Sequence, residues 1–345
     1  MIVALDATYS LGRNLTGVGV YSREIAFGLA QAHPETEFLF CYRPHRWWRS
    51  WLDRLPANAR RRLITEERVP EAAELFHGLN QRLPRAPLRR AVTTFHDLFV
   101  ITGEYATPEF RARFRRQALE AAERSRRIIT VSEFTARQVA EVLGVEWSRL
   151  RVIHHGVRLP ARVPCDGERE NVVLHVGAIQ VRKNLVRLVE AFERMEPGWR
   201  LVLIGSMGYG ATGILRRIEE SSRRADIAVL GYVSASERDR WYARVRIFAF
   251  PSLDEGFGMP VLEAMAWGVP VVASRASALP EVAGEAAWLV DPHSAEELTG
   301  ALRALAADPD LRDRYVRMGR RRAAGFRWED AVAATWQVYR ELNQA

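Results

Sequence analysis

DEGFGMPVLEAMAWGVPVVAS, residues 254–274, decides how this chain reads. Two glutamates, Glu255 and Glu263, flank a glycine turn and the start of a short helix. Gly256 and Gly258 allow a tight bend and a close approach of backbone to a ligand. Pro260 suits the first helical position, Gly268 is the expected stop, and Val269–Ala273 reads as the buried strand that follows. Glu263 then falls near the end of the helix's first turn, among Val261, Leu262, Ala264, Met265 and Ala266. A carboxylate in so apolar a helix needs a partner, because burying it alone is costly. Backbone N–H groups at the same helix start attract an anion such as phosphate. The segment reads as a site for a sugar carrying a phosphate. The plainer reading has Glu255 solvated in a turn and Glu263 paired with an arginine of a neighbouring helix.

Outward from this segment, short β-branched runs alternate with helical stretches. Strands are expected near Ile2–Leu5, Phe38–Tyr42, Leu75–Phe76, Val92–Phe95 and Ile128–Val131, with helices near Val20–Gln31, Phe110–Arg124 and Phe134–Leu143. Composition turns loop-like over Val157–Gly167, and the alternation then restarts near Val172–Val176, Leu201–Ile204, Ala228–Leu230, Ile247–Phe250, Val269–Ala273 and Trp288–Val290. Two such series imply an α/β protein with two Rossmann-like, doubly wound parallel-sheet domains facing a cleft. The expected domains are 1–160 and 168–328, and the last helix, within 329–345, carries Trp336 and Tyr339 on an apolar face that can pack back on the first domain.

Charge and composition narrow the function classes. Residues 1–165 hold 26 Lys+Arg against 17 Asp+Glu, and residues 166–345 hold 24 against 25. A basic excess confined to the first half suggests a surface facing something anionic. Of the 50 basic residues 49 are arginine, so Lys183, the single lysine, marks a place where a compact ammonium matters. Only two cysteines, Cys41 and Cys165, occur, without metal-ligand spacing, which fits structural thiols in a reducing cytoplasm. Met1–Leu5 reads as a first strand and not as a leader, and no apolar run reaches membrane-spanning length.

Several polar signals fall just after expected strands, where ligands of doubly wound folds bind. Gly17-Val18-Gly19 opens a helix after the first strand. His77-Gly78-Leu79-Asn80 and His96-Asp97 end two others, while Gly177, Arg182 and Lys183 follow the first strand of the second series. Each alone fits an ordinary structural residue; their shared position is the signal.

In this order the motifs resemble glycosyltransferase family 4, retaining sugar transferases with the two-domain GT-B fold. TGVGVYSREIAFGLA, FHDL, RIITVSEFTARQV, HVGAIQVRKNL, FAFPSLDEGFGMPVLEAMAWGVPVVAS and ALPEVAG carry the resemblance over nearly the whole length. HHGVR departs from the family's usual Asn-Gly-Val-Asp-like turn at His155 and Arg158, and keeps Gly156.

The resemblance implies that Arg182 and Lys183 neutralise the diphosphate of a nucleotide-sugar, with Gly177 beside them. It implies that Glu263 accepts hydrogen bonds from the ribose, and that Glu255 holds the transferred sugar with the Gly256–Phe257–Gly258–Met259 backbone. It places His96 near the reacting carbon and Gly17 and Gly19 against the phosphates. His77, Asn80 and Asp97 are expected on the acceptor side. With no D-x-D motif and two cations at the diphosphate, neither metal nor cofactor is expected.

TGVGVYSRE, FHGLN and FHDL resemble bacterial mannosyltransferases of O-antigen and exopolysaccharide assembly, so GDP-mannose is the first expected donor, ahead of UDP-sugars, and the acceptor a glycan or lipid-linked saccharide. Arg43–Arg54, RPHRWWRSWLDR, reads either as an anionic-membrane contact or as a solvated helix with its tryptophans in the core. A nucleotide-sugar epimerase or glycan phosphorylase of the same architecture is the alternative. A basic nucleic-acid-binding protein is a distant one, since Lys183 and both glutamates lie in the non-basic half and no base-stacking motif is present.

Overall fold

Short runs of mainly apolar residues, such as Val3–Leu5, Phe38–Cys41 and Val172–Leu174, bury on both faces of a sheet, and such runs recur along the chain. In the computed structural model, which describes residues 1–12 and 15–344, the chain divides into two units: Met1–Gly156 with the segment from Arg327 on, and Val157–Phe326. The first unit holds seven strands, β1 (Ile2–Asp6), β2 (Glu37–Tyr42), β3 (Ala59–Leu63), β4 (Leu75–Gly78), β5 (Ala91–Phe95), β6 (Arg127–Thr130) and β7 (Leu150–Val152). They are ordered 3-2-1-4-5-6-7, and every pairing is parallel, β1 with β2 in the register Ile2↔Glu37 and with β4 in Val3↔Leu75. The second unit holds β8 (Glu170–Val176), β9 (Arg200–Ile204), β10 (Ile227–Gly231), β11 (Val245–Phe250), β12 (Val271–Ser274) and β13 (Trp288–Val290). Their order is 10-9-8-11-12-13, again all parallel. Both are doubly wound sheets.

Apolar helix faces close each sheet. In the first unit Ala118 and Ala121 of the Pro108–Arg124 helix and Ala136 and Val139 of the Glu133–Leu143 helix pack on Phe76, Phe95 and Ile128. Thr107 and Ser132 cap these helices by accepting from the N–H groups of Phe110 and Thr135. In the second unit Leu188 and Phe192 of the Leu185–Glu193 helix and Leu298 and Leu302 of the Ala295–Ala307 helix cover Val173, Leu201 and Ile247. The Trp328–Gln344 helix belongs to the first unit. Tyr339 bonds His77 Nδ1 at 2.6 Å, Trp336 stacks on His33 at 3.8 Å, and Glu341 reaches Arg151 at 2.7 Å and Arg127 at 3.3 Å.

Three local expectations need correction. Strand β12 starts at Val271 and not at Val269, because Gly268 in the left-handed region (φ 65°) and Pro270 separate it from the preceding helix. That helix runs Met259–Ala266, so Pro260 sits one position inside its start. The Arg/Trp segment is not a regular helix, and although Arg43 at its start is buried, two of its tryptophans lie outside the core. It forms two short 3₁₀ turns, Pro44–Arg46 and Trp48–Leu52, with Trp48 82% and Trp51 60% exposed. It bridges β2 to the sheet's edge strand β3, where Ser50 is the only residue of the second turn to be buried.

Candidate active site

At the centre of the second sheet β8 and β11 lie side by side, and the chain leaves them in opposite directions, toward β9 and β12. That reversal is a topological switch point, and ligands of such sheets bind beyond the strands' carboxyl ends there. The loops leaving these two strands carry the candidate residues.

After β8, Gly177 passes close to two side chains: a Cβ there would lie 3.0 Å from His175 Nε2 and 3.2 Å from Lys183 Cε. A 3₁₀ turn over Val181–Lys183 follows, ended by Asn184 in the left-handed conformation (φ 58°). Asn184 Nδ2 donates to the Pro251 and Pro292 carbonyls at 3.1 and 2.7 Å, fixing the turn to the loops after β11 and β13. Leu253 N donates to Arg182 O at 2.8 Å, binding the two loops directly.

Arg182, Lys183 and Glu255 thereby converge, with exposures of 7, 6 and 7%. One carboxylate oxygen, Glu255 Oε1, meets the Arg182 guanidinium at 2.9 Å and accepts from Lys183 Nζ as well. The guanidinium also donates to the Asp254 carbonyl. Beneath them the ammonium lies 4.5 Å from the Phe250 ring centre, and His175 stacks on the same ring. Burial pushes the Glu255 pKa up, but the Arg182 and Lys183 charges outweigh it and hold the group at about 2. His175 is driven down to about 3 by burial first and the Lys183 charge second, so it is neutral. The Glu255 backbone is held at both ends, its N–H donating to Ser277 Oγ at 3.0 Å and its carbonyl accepting from Ala278 N at 3.2 Å.

Gly256 and Phe257 are buried as the chain turns, and Gly258 opens the Met259–Ala266 helix with φ 96°. The positive φ calls for glycine at Gly258, where a Cβ would also stand 2.5 Å from the end of the Leu279 side chain. Glu263 leaves this helix toward a different pair. It accepts from the Tyr242 hydroxyl at 3.0 Å and meets Arg238 at 3.4 Å, both on the Ala235–Arg244 helix. Burial raises its pKa against the opposing charge of Arg238. The arginine partner matches the plainer reading of Glu263, and the two glutamates are held by separate sets of side chains.

The first unit carries the remaining candidates. Gly17 opens the Gly17–Ala32 helix, and Gly19 packs so closely that a Cβ would lie 2.9 Å from Tyr9 O. His96 directly follows β5, with Nε2 donating to Leu79 O at 3.0 Å, its ring 4.7 Å from Tyr21 and stacked 5.5 Å from His155. Burial lowers its pKa to about 4. Asp97, next to it, is half-buried. Asn80 folds back to accept from Arg82 N at 3.0 Å. His77 is fully buried with both ring nitrogens engaged, by Tyr339 and by Thr94 at 2.9 Å. It ties the last helix to the sheet and has no hydrogen bond left for a ligand.

Sequence reasoning missed Tyr242, Arg238, Ser277 and Phe250. All but Phe250 reach the site from elements distant in sequence, which no spacing rule connects. Phe250 ends a strand, where an aromatic reads as core. Among the described residues no three His, Cys, Asp or Glu side chains gather as a metal centre.

Two doubly wound parallel sheets, the second with cations and a carboxylate at its switch point, are the arrangement expected of a GT-B glycosyltransferase. The family model "Glycosyl transferases group 1" matches residues 165–322 and "Glycosyltransferase Family 4" matches residues 8–159. The chain belongs to the family 4, group 1 glycosyltransferases. It is 29% identical to O-antigen chain mannosyltransferase B of Escherichia coli over 97% of this chain and 99% of that one. It is 32% identical to D-inositol 3-phosphate glycosyltransferase of Acidothermus cellulolyticus over 62% of this chain and 53% of the other. Among solved structures, sucrose-phosphate synthase from Thermosynechococcus elongatus superposes with a TM-score of 0.82 at 21% identity, covering 100% of this chain and 99% of that one. Anabaena HepE, solved with UDP and glucose, gives 0.74 at 17% identity, covering 100% and 99%.

Proposed function

We propose that this enzyme moves a hexosyl unit from a nucleotide-sugar to a glycan or lipid-linked acceptor with retention at the anomeric carbon, and that the donor is GDP-mannose. The observation that carries the reading is the buried Arg182–Glu255–Lys183 cluster at the switch point of the second sheet. A guanidinium and an ammonium fixed side by side suit a diphosphate leaving group. Oriented positive charge in a site of low dielectric stabilises charge as it develops, at no cost in reorganisation. Two organic cations do the work of a divalent ion, so transfer proceeds without metal or cofactor, and activity persists in chelator.

In this reading Glu255, ionised at neutral pH, accepts hydrogen bonds from the transferred sugar, with the N–H groups around Phe257–Met259 assisting. Glu263 accepts from the ribose, and the start of the Gly17–Ala32 helix, with Gly17 and Gly19, lies against phosphate. His96, neutral at pH 7, accepts or donates a hydrogen bond near the reacting carbon without placing a positive charge beside it. The bond from the anomeric carbon to the donor phosphate oxygen breaks as that to the acceptor oxygen forms on the same face. The acceptor's proton passes to the departing phosphate.

The relative named as an O-antigen mannosyltransferase favours mannose, while HepE, solved with UDP and glucose, keeps a UDP-sugar as the competing donor. Among the described residues no helix is long and apolar enough to cross a membrane. The exposed Trp48, Trp51 and Leu52 beside Arg46 and Arg49 support peripheral contact with an anionic membrane on its cytoplasmic face. A thermal-shift panel of GDP, UDP, GDP-mannose and UDP-hexoses tests the donor, because a ligand bound only by the folded state raises Tm. GDP-mannose is expected to give the largest shift; a shift with UDP-sugars alone would replace the donor assignment.

A further inference from the structure

At the opposite ends of the first sheet's strands from His96 the surface is strongly basic. An open cavity of about 440 Å³ lies beside the first residues of β5 and β6 and is lined by Arg89, Arg90, Arg124, Arg126, Arg127 and Arg149, with Glu123 as the one carboxylate of the lining. Strand rise over the length of β5 puts this cavity about 16 Å from the carboxyl-end residues of that sheet. It is a second place, distinct from the Arg182–Lys183 cluster.

The partners of these arginines leave most of their charge uncancelled. Arg124 donates to the Pro84 and Ala86 carbonyls, Arg149 to the Ala122 and Ser125 carbonyls, and Arg90 to the side-chain oxygen of Asn343. These acceptors are neutral dipoles. Arg127 alone meets a carboxylate, Glu341, which it shares with Arg151. The guanidinium groups of Arg89 and Arg126 are exposed and make no hydrogen bond or ion pair among the described residues. Like charges gathered around a concavity raise the local potential and concentrate counter-ions there. Arginine is also the side chain whose fork matches phosphate oxygens two at a time.

We propose that this cavity is a second anion site, which takes a ligand with paired phosphates: Arg89 and Arg126 supply its free donors, and the carbonyl-anchored Arg124 and Arg149 form its rigid floor. The volume suits a diphosphate or a phospholipid headgroup. The basic excess of the first half of the sequence, for which the donor site has no use, is in part spent here.

The test is isothermal titration of inorganic pyrophosphate into the wild-type chain and the R89A/R126A double variant, at an ionic strength held constant with chloride. A parallel arm measures co-sedimentation with vesicles of phosphatidylglycerol in phosphatidylcholine. Both side chains are exposed, so the variant is expected to fold with an unchanged circular dichroism spectrum and to retain donor turnover. The expected result is the loss of one equivalent of bound pyrophosphate in the variant, or a weakening of that equivalent by more than tenfold. If only vesicle retention falls, the paired phosphates are those of a lipid surface, and the site stands. Identical pyrophosphate isotherms together with identical vesicle retention in the two proteins would overturn the proposal.

Discussion

The two units share a topology and differ in what they bury. Each winds a parallel sheet outward from a central pair, β1–β4 in one and β8–β11 in the other. In the second unit the loops beyond that pair bring two cations onto one buried carboxylate. In the first unit the neighbouring strands β4 and β5 carry imidazoles, His77 and His96, which burial keeps neutral, and His155 lies stacked on His96 in the same state. One sheet presents fixed charge and the other presents neutral hydrogen-bonding groups. A fold supplies the crevice; the residues just past the strand ends decide its chemistry.

The sharpest way to break this contrast is to remove the charge. Lys183→Ala is expected to lower donor turnover by about 10²–10³-fold, the usual effect of losing one fixed electrostatic donor. It also leaves Glu255 with Arg182 as its remaining charged neighbour, so the carboxyl pKa rises from about 2. Steady-state kinetics with ¹³C NMR titration of Glu255 reads both, and wild-type turnover in this variant would remove the role. Glu263→Gln keeps an acceptor for Tyr242 but loses the charge, and nucleotide Kd is expected to rise about tenfold, in line with a charged hydrogen bond of about 1.5 kcal/mol. Calorimetry checks this, and kcat should move less than Kd.

Acid sharpens the comparison from the other side. A histidine whose folded pKa lies below its unfolded value, 6.5, contributes stability that is complete above pH 6.5 and lost as pH falls toward the folded pKa. His96 at about 4 and His77 at about 3 place that loss in the first unit between pH 6.5 and about 4 and 3 respectively, joined by His155, also displaced downward. The second unit has one such group, His175 at about 3. Glu255 adds a loss only as pH drops below 4.5 toward 2. Amide exchange followed from pH 7 to 5 should therefore show protection falling first in residues of the first unit. Equal loss in both units would contradict the assignment. The smallest stability effect is expected from Trp48→Ala and Trp51→Ala, within about 0.5 kcal/mol because both side chains face solvent. Retention on anionic vesicles should fall in each variant if this face meets a membrane.

What the sequence disclosed follows the same division. Strands buried on both faces announce themselves as apolar runs, so the central strands of both sheets were legible. Edge strand β3, ARRRL, was not, because a strand exposed along one side has no reason to be apolar. β7, three residues long, is too short for any period to register. The meeting of Lys183 with Glu255 was foreshadowed by a lone lysine and a glycine turn, since local conformation places both just past strand ends. The Tyr242–Glu263–Arg238 set was hidden, because only tertiary packing brings the Ala235–Arg244 helix alongside. The tryptophans of the Arg/Trp segment left two readings open, since side chains this large are usually buried; Trp48 and Trp51 are exposed and Trp47 is half-buried.

The central claim is that Lys183 and its buried neighbours grip the diphosphate of a nucleotide-sugar. Calorimetric titration of wild type and Lys183→Ala with GDP-mannose and the UDP-hexoses tests it most directly. The account predicts one tight equivalent at the donor site of the wild-type chain, weakened at least tenfold in the variant. Undiminished affinity in Lys183→Ala, or no nucleotide-sugar bound by the wild-type protein, would contradict it.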